Sequence, residues 1–355
     1  MKKIIAFAVA VGLMISLLSS CFGGGEDVAI LYYTYSDTYI SGVRGEMDTA
    51  LREAGLGFHN YDAGSMQTTQ TEQVDTAITK GASLLAVNIV DTGSSDAARA
   101  IVGKARNAGI PLIFFNRSVD DEVLASYDKC VFVGTDFEAA GIMQGEMIGK
   151  YLVENYDKVD INGDGIISYV MFKGQQGNLE AEARTRLAVE RCNEILAEVG
   201  RSPIRFYDLK NTQGYLVDQN GNWSNAAAND YMKTILSAYS ESGGNMVELV
   251  IANNDEMALG ALAALEEAGY NKSGGRHIPV FGVDATDAAR AKIGAGAMTG
   301  TVKQDGAAMA RAIAAVAKNL LSGRGAFEGI TGVDVVGDRR INIPYSTYTG
   351  EETEK

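Results

Sequence analysis

Histidine, cysteine and proline are scarce in this chain of 355 residues, which contains two, three and four of them, respectively. The two histidines, His59 and His277, both lie beside strand-like runs where a structural role is expected, so no Ser/His or Cys/His pair for nucleophilic catalysis is indicated. Carboxylates are plentiful, but nothing in the sequence fixes two of them at the separation that a glycosidase needs. We therefore expect a protein that is not an enzyme.

Positive charge is also in deficit. The chain has 31 lysine and arginine residues against 45 aspartate and glutamate residues, which gives a formal net charge of −14. An acidic chain is repelled by the phosphate backbone of nucleic acids, and no helix-turn-helix pattern precedes the body of the sequence. We expect no nucleic-acid partner.

The amino terminus has the pattern of a bacterial export signal. Lys2 and Lys3 precede an apolar stretch at 4–18 that is short for a membrane-spanning helix. The "LSSC" at 18–21 resembles the site at which a lipoprotein signal is cleaved and Cys21 receives its lipid. We predict a signal peptide over 1–20, a lipidated tether over 21–26, and a lipid-anchored protein on the periplasmic or cell-surface side of the membrane. The alternative is an ordinary secretory peptide with an incidental cysteine.

The rest of the chain, about 330 residues, is too long for one ordinary hydrophobic core and predicts two domains. Apolar runs typical of strands, such as "VAILYYTY" at 28–35, alternate with helical patterns along nearly its whole length. This alternation predicts an α/β fold of two Rossmann-like lobes, each with a parallel sheet covered by helices. Cys130 falls in a strand-like run and Cys192 in a helical pattern, so both are expected to be buried free thiols.

Polar residues follow several of the predicted strands. In open α/β sheets, ligands bind beyond the carboxyl ends of the strands, so a group of polar residues there favours a ligand-binding cleft. Each of them taken alone could equally be a helix N-cap or a turn residue. The six such residues are Asp37, Asp91, Asn116, Asp136, Asn254 and Asp284.

The stretch "DINGDGIIS" at 160–168 begins like an EF-hand calcium loop. Asp160, Asn162 and Asp164 occupy the alternating ligand positions, and Gly165 stands where the loop turns sharply. The glutamate required at position twelve is absent, because that position is Met171. The pattern alone is compatible with a broken site, an acidic turn, or a loop whose last ligand comes from elsewhere in the chain.

Several motifs together resemble those of the periplasmic glucose/galactose-binding proteins, the monosaccharide-binding proteins of bacterial ABC importers. The resemblance covers roughly residues 27–346 in unbroken order, and it implies the type I periplasmic binding protein fold with a three-strand hinge. The motifs that carry it are "VNIVDTG", "IPLIFFNR", "DINGDG", "EAEARTR", "VELVIANNDEMALGAL", "IPVFGVDA" and "GTVKQD".

The resemblance also implies domain boundaries. The amino-terminal lobe would comprise 27–134 and 306–341, and the carboxy-terminal lobe 137–303 and 345–355. The hinge crossings would lie near 134–137, 303–306 and 342–346.

The resemblance further implies a sugar site between the lobes. Aromatic rings would cover the apolar faces of a pyranose, while carboxylates, amides and a guanidinium would bind its hydroxyls. Four positions depart from the family: Tyr39 stands for phenylalanine, Asn178 for histidine, Glu180 for aspartate and Gln304 for asparagine. The site residues carried over are Asp37, Tyr39, Asn116, Asn178, Glu180, Arg184, Trp223, Asn254, Asp284 and Gln304.

In the family, the missing calcium ligand comes from a glutamate in the strand that leads into "IANN", which here is Glu248. A structural calcium ion would then be bound by Asp160, Asn162, Asp164, Ile166, Ser168 and Glu248, with Ser168 in place of a glutamine. The expected partners are a monosaccharide, glucose or galactose, and the membrane permease of an ABC importer, with the protein acting as a monomer. The alternatives are a sensor that presents its closed form to a chemoreceptor and a binder of a different pyranose.

Overall fold

A computed structural model describes residues 27–350 of the chain. The predicted signal peptide, the tether with Cys21, and residues 351–355 lie outside the described residues. Among the helices of residues 27–350, none combines the length with the hydrophobicity that a membrane-spanning segment requires.

The first lobe is built on a sheet of seven strands. Its elements are β1 (Val28–Tyr32), α1 (Thr38–Ala54), β2 (Phe58–Asp62), α2 (Gln67–Thr79), β3 (Leu84–Val87), α3 (Asp96–Ala108), β4 (Leu112–Phe115), α4 (Asp121–Ala125), β5 (Cys130–Gly134), α10 (Gly306–Leu321), β12 (Asp334–Val336) and β13 (Arg340–Asn342). The order of the strands in the sheet is β12-β13-β5-β4-β3-β1-β2. All neighbouring pairs run parallel except the β12–β13 hairpin.

The second lobe is built on a second sheet. Its elements are α5 (Ala139–Val159), β6 (Ser168–Lys173), α6 (Leu179–Glu198), β7 (Arg205–Phe206), β8 (Leu216–Val217), α7 (Asn225–Ala238), β9 (Leu249–Ala252), α8 (Asp255–Glu267), β10 (Val280–Asp284), α9 (Asp287–Gly294), β11 (Gly300–Gln304) and β14 (Tyr345–Tyr348). The order of the strands in this sheet is β14-β11-β10-β9-β6-β7, with β8 also paired to β6. Within this sheet, only β14 is antiparallel to its neighbour.

The central strands are apolar on both faces because helices cover both faces of each sheet. All five residues of β1 and all five of β10 are buried, and each lobe has its own hydrophobic core. The prediction of two α/β lobes with mostly parallel sheets is therefore confirmed. The described chain passes from one sheet to the other three times, between Gly134 and Ala139, between Gln304 and Gly306, and between Asn342 and Tyr345.

Both described cysteines are buried free thiols, one in each lobe. Burial raises the pKa of the Cys130 thiol and of the Cys192 thiol to about 12. At neutral pH both are protonated and pack as small apolar groups.

Candidate functional site

The carboxyl ends of strands from both sheets meet at a cavity between the lobes, which we call the inner cavity. Its volume is about 50 Å³, several times the ~10–15 Å³ that a single water needs. This space suits one small ligand. The residues that line it are Tyr33, Asp37, Tyr39, Ile40, Asn116, Arg117, Asn178, Glu180, Arg184, Trp223, Asn254, Asp284 and Gln304.

All ten residues that the resemblance assigned to the sugar site lie on this cavity, and three further residues were not predicted. Tyr33 belongs to the tyrosine-rich end of the first strand run, and Ile40 lies in the first turn of α1. Arg117 directly follows Asn116, and its guanidinium is buried over the ring of Tyr33, with Cζ 4.0 Å from the ring centroid. A charged residue at the end of a buried strand was the signal that could have identified Arg117.

Two of the six polar residues at predicted strand ends do not line the inner cavity. Asp91 accepts a hydrogen bond from the backbone N–H of Gly93, at 2.9 Å, and Asp136 accepts one from that of Glu138, at 3.0 Å. Both are exposed residues that close turns. The expectation that all six line one ligand cleft is therefore wrong for Asp136, which only closes a turn. Asp91 also closes a turn and lies at the cleft between the lobes, but outside the inner cavity.

The amino-terminal lobe contributes a carboxylate held in a fixed orientation. Asp37 is the N-cap of α1: its Oδ1 accepts a hydrogen bond from the Ile40 N–H, and its Oδ2 accepts one from the Tyr33 hydroxyl. Asn116 has a positive φ of 63°, a conformation that few residues other than glycine adopt. Its side-chain oxygen accepts a hydrogen bond from the Asn88 amide at 3.2 Å.

The carboxy-terminal lobe contributes Asn178, Glu180 and Arg184 from the first turns of α6. Asn178 caps this helix through its side-chain oxygen, which accepts a hydrogen bond from the Ala181 N–H at 2.9 Å. The Arg184 guanidinium donates to the Asn253 carbonyl at 2.9 Å and to the Tyr345 hydroxyl at 3.2 Å. Glu180 and Arg184 are both almost completely buried.

Trp223 forms an aromatic wall of the cavity. The guanidinium carbon of Arg184 lies 5.8 Å from its ring centroid, and the ring lies against the backbone at Gly174. A Cβ at that position would be 2.1 Å from Trp223 Cδ2, so only glycine allows this packing. Asn254 caps α8 through its oxygen and donates its amide to the Trp223 carbonyl at 3.2 Å. Trp223 and Asp284 both have positive φ, 56° and 120°, which places backbone strain at this site.

Buried charges of both signs surround the cavity. Burial raises the pKa of Asp284 well above its usual range, and the Arg184 guanidinium lowers it only in part. Burial alone would lower the pKa of Arg184, but the Tyr345 hydroxyl and the Asp284 carboxylate outweigh it, so that this pKa is raised. Behind Asp284, burial raises the pKa of Asp255 to about 7, although the hydrogen bonds that Asp255 accepts from Thr301 and Thr286 lower it in part.

Three buried polar atoms of the cavity residues have no hydrogen-bond partner: the Tyr39 hydroxyl, Glu180 Oε2 and Arg184 Nε. Buried polar atoms are rarely left unpaired, because each costs about 1–3 kcal/mol. Two of them are possible donors and one is an acceptor, which is a set that a hydroxylated ligand can satisfy.

Hydrogen bonds also join the two lobes beside the cavity. Glu180 Oε1 accepts from the Ser118 N–H at 2.9 Å, and the Asn178 amide donates to Thr92 Oγ1 at 3.2 Å. The third cross-lobe bond runs from the Arg117 guanidinium to Gln175 Oε1. The structure is thus a closed form, with side chains of both lobes in contact around the site.

The loop after α5 folds around its own side-chain oxygens. Asp160 accepts hydrogen bonds from the N–H groups of Gly163 and Gly165, while Asn162 and Asp164 each accept one from the residue two positions on. Asp164 also pairs with Arg205, at 3.3 Å.

Glu248, from the segment before β9, reaches this loop. Its Oε1 accepts from the N–H groups of Ile161 and Asn162, and its Oε2 from the N–H of Ser168. The hydroxyl of Ser168 contacts the Met246 carbonyl at 2.8 Å. Within residues 27–350 there is no group of three or more histidine, cysteine, aspartate or glutamate side chains arranged to hold a metal ion.

Comparisons with known proteins agree with this architecture. Residues 28–325 match the sequence profile of the periplasmic binding protein domain. The D-galactose/methyl-galactoside binding periplasmic protein of Haemophilus influenzae is 34% identical over 342 residues, which cover 96% of this chain and 93% of that protein. A xylitol-binding protein of Mycolicibacterium smegmatis is 29% identical, with 90% of this chain and 80% of the relative covered.

Solved structures show the same fold at low sequence identity. A solute-binding protein of an ABC transporter from Clostridium phytofermentans, with bound β-D-glucose, superposes with a TM-score of 0.72 at 19% identity and covers 91% of this chain and 94% of its own. Another from Bacillus halodurans, with bound myo-inositol, gives a TM-score of 0.68 at 24% identity and covers 93% and 96%.

Proposed function

Because this chain belongs to the periplasmic binding protein family, a family of binding proteins rather than enzymes, we propose that it captures one neutral monosaccharide between its lobes and delivers it to an ABC importer. Membership of this family implies that the protein functions outside the cytoplasm.

The three unpartnered polar atoms of the inner cavity carry the proposal. The Tyr39 hydroxyl, Glu180 Oε2 and Arg184 Nε surround a small cavity that has the indole of Trp223 as one wall. A pyranose has hydroxyls that both donate and accept hydrogen bonds, and apolar C–H faces that pack on aromatic rings. It would satisfy all three atoms without adding a charge to a buried site that already contains carboxylates and guanidinium groups.

We propose D-galactose or D-glucose as the sugar. The relative with 34% identity is named for D-galactose and methyl-galactoside. A different pyranose is the alternative, and Asn178 is the reason to consider it. Where the resembled family has histidine, the Asn178 oxygen caps α6 and its amide donates to Thr92. At this position the sugar would therefore meet an amide that is already engaged by the helix cap and by Thr92, in place of the imidazole of the resembled family.

Titration calorimetry with D-galactose, D-glucose, D-ribose and myo-inositol tests the proposal. Trp223 is the only tryptophan of the chain, so quenching or enhancement of its fluorescence gives a second readout. We expect tight binding of one hexose. Asp284→Ala and Arg184→Ala should each lose about 2–4 kcal/mol of sugar-binding free energy, because removing one partner leaves the others buried and unpaired. Asp334→Ala, on the exposed edge strand β12, is the control and should bind normally. Failure of every sugar to bind would refute the proposal.

We also propose that the loop at 160–168 binds a structural calcium ion. The donor chemistry fits, since carboxylate, amide, hydroxyl and carbonyl oxygens are the ligands that calcium prefers. Glu248 is completely buried, and no lysine or arginine pairs with it in the described part of the chain. Burial raises the pKa of Glu248, although backbone hydrogen bonds from Ser168, Asn162 and Ile161 lower it in part. Asp160, Asn162, Asp164, Ile166, Ser168 and Glu248 would hold the ion, which would neutralise this buried charge.

Thermal unfolding with and without a calcium chelator tests this site. Calcium at a hundredfold excess over Kd stabilises the folded state by about 2.7 kcal/mol, so chelation should lower the Tm of the wild type by several degrees. Glu248→Gln and Asp164→Asn should respond little, whereas Asp208→Asn, in another exposed turn, should respond like the wild type. An equal response in all four proteins, or in none, would show that the loop is only a turn.

We further propose that the mature protein is a monomer anchored by lipid at Cys21, a residue outside the described part of the chain. Membrane retention of Cys21→Ser equal to that of the wild type would refute the anchor. Presentation of the closed form to a chemoreceptor remains the second candidate role, compatible with transport.

A further inference from the structure

A buried carboxyl lies directly behind the inner cavity. Asp255 is 0% exposed and does not line this cavity, although its neighbour Asn254 does. It is the first residue of α8, a position where the helix dipole favours a carboxylate. The dipole alone does not explain the burial, because a buried carboxyl costs free energy unless its oxygens are hydrogen-bonded. The partners of Asp255 outside its own helix therefore indicate what it does.

The two oxygens of Asp255 join α8 to the neighbouring parts of the sheet. Oδ2 accepts hydrogen bonds from the Thr286 N–H at 2.7 Å and from the Thr286 hydroxyl at 3.2 Å. Oδ1 accepts one from the Thr301 hydroxyl of β11 at 2.6 Å. The carboxyl also lies against the backbone of β10, since a Cβ at Gly282 would be 2.3 Å from Oδ1. One oxygen thus anchors Asp255 to β11, and the other holds the turn that follows β10.

That turn is strained, and it carries a cavity residue. Asp284, the last residue of β10, lines the inner cavity and has a φ of 120°, and the next residue, Ala285, has a φ of 58°. Residues other than glycine rarely adopt such angles, and the conformation persists only where the surrounding structure holds it. Thr286 then begins α9 as its N-cap. The hydrogen bond from its N–H to Asp255 therefore closes the strained turn from behind.

We propose that Asp255 is a positioning residue for the sugar, which holds the turn at 284–286 so that the Asp284 carboxylate is fixed at the inner cavity. Thr301 orients the Asp255 side chain for this role. The proposal rests on the proposed function and deepens it, because sugar binding then depends on a side chain that does not contact the ligand. The physical reason is that hydrogen bonds weaken steeply when one partner is misaligned.

Titration calorimetry of the full chain with D-galactose and D-glucose tests this role. We expect Asp255→Ala to raise the sugar Kd about tenfold or more, since the turn loses its acceptor. Asp255→Asn should stay within about threefold of the wild type, because its amide oxygen can accept from Thr286 and its amide nitrogen can donate to the Thr301 hydroxyl. An equal loss in both variants would mean that the charge of Asp255 matters and not its hydrogen bonds, which would overturn the proposal.

A double-mutant cycle separates positioning from a general structural role. If Asp255 acts through Asp284, then Asp255→Ala should change the Kd by less than about threefold in an Asp284→Ala background. A general weakening of the lobe would instead add its full effect in that background. Asn193→Ala, which removes the acceptor of the Ile204 N–H in the same lobe, is the matched control. It should lower the Tm and leave the Kd unchanged.

Thr301→Val carries the test if Asp255→Ala does not fold. It removes only the hydroxyl that is bound to Asp255 Oδ1, and the Kd should rise about 3- to 10-fold, again only while Asp284 is present. The positioning role is refuted if the wild type binds a hexose and either variant binds it equally well, or if the losses add to that of Asp284→Ala. In these cases the proposed function stands. If the wild type binds no hexose, the proposed function fails, and the positioning role with it.

Discussion

At the scale of single residues, three side chains of the inner cavity also cap helices. Asp37, Asn178 and Asn254 are the N-caps of α1, α6 and α8, and each uses one oxygen for the cap. Asp37 has a second oxygen, which the Tyr33 hydroxyl orients. The cap fixes the rotamer of the side chain, so the helix start and the ligand contact are prepared by the same hydrogen bond. Removing one of these side chains weakens a helix as well as the site.

A buried carboxyl behind the site predicts an unusual pH dependence. Burial raises the pKa of Asp255 to about 7, whereas an aspartate in the unfolded chain titrates near 4. The folded state therefore holds a proton that the unfolded state has released between about pH 4 and pH 7. The stability contributed by this residue is fully present below pH 4 and is lost as the pH rises to 7, by about 4 kcal/mol over that window.

Urea unfolding of Asp255→Asn at pH values from 4.5 to 7.5 measures this effect. The variant keeps a neutral group at every pH, so its free energy of unfolding should increase relative to that of the wild type as the pH rises. Asp136→Asn, in an exposed turn, should follow the wild-type profile. If the difference between Asp255→Asn and the wild type is constant across the range, the carboxyl is ionised throughout.

At the scale of elements, α5 and α6 pack closely along glycines. Gly141, Gly145 and Gly149 lie four residues apart on α5, and a Cβ at Gly145 would be 2.6 Å from the Ala188 carbonyl oxygen of α6. We predict that Gly145→Ala lowers the free energy of unfolding by about 1–3 kcal/mol. The new methyl group would press on the backbone carbonyl of Ala188, which cannot move aside as the end of a flexible side chain can. Urea unfolding measures the loss.

The control is the same substitution in an open position. Gly103 lies within α3, and a Cβ there would meet nothing within 4 Å. Gly103→Ala should stabilise the protein by up to about 1 kcal/mol, since alanine is the better helix former. If both substitutions stabilise, the two helices separate at little cost and the glycines do not determine their packing.

The strands that could be predicted from the sequence are the buried ones. Strands such as β1 and β4 are continuous apolar runs, because helices cover both their faces. The strands that gave no clear signal lie at sheet edges. β2 reads "FHNYD" with one buried residue, and all three residues of β12 are exposed. A half-solvated edge strand can carry polar residues at most positions, so its sequence resembles that of a loop.

At the scale of the whole molecule, local patterns could locate the cleft but could not select its residues. Asp91 and Asn116 both follow strands of one sheet, yet only Asn116 lines the inner cavity. The difference depends on how the second lobe closes over the first, which no local pattern contains. The resemblance to a family supplied that arrangement for ten residues. It did not supply Arg117, whose contact with Gln175 joins the lobes, and the sugar-binding role of all ten stays a prediction.

The last prediction concerns closure of the two lobes. Arg117 is held in the first lobe by the carbonyls of Ile89 and Val90, and reaches Gln175 in the second. Gln175→Ala removes this bond and leaves Arg117 anchored. A hydrogen bond to a charged group contributes about 1.5 kcal/mol or more, so the closed form should lose population and the sugar Kd should rise roughly tenfold.

Because the bond forms only after the lobes meet, the change should lie in the dissociation rate, with the association rate nearly unchanged. Stopped-flow fluorescence of Trp223 separates the two rates, and small-angle scattering with saturating sugar reports whether the variant still closes. Gln213→Ala, an exposed glutamine of the second lobe, is the control. A slower association rate with unchanged dissociation would mean that Gln175 acts in the open form, before the lobes meet, and that the Arg117 contact does not hold the cleft shut.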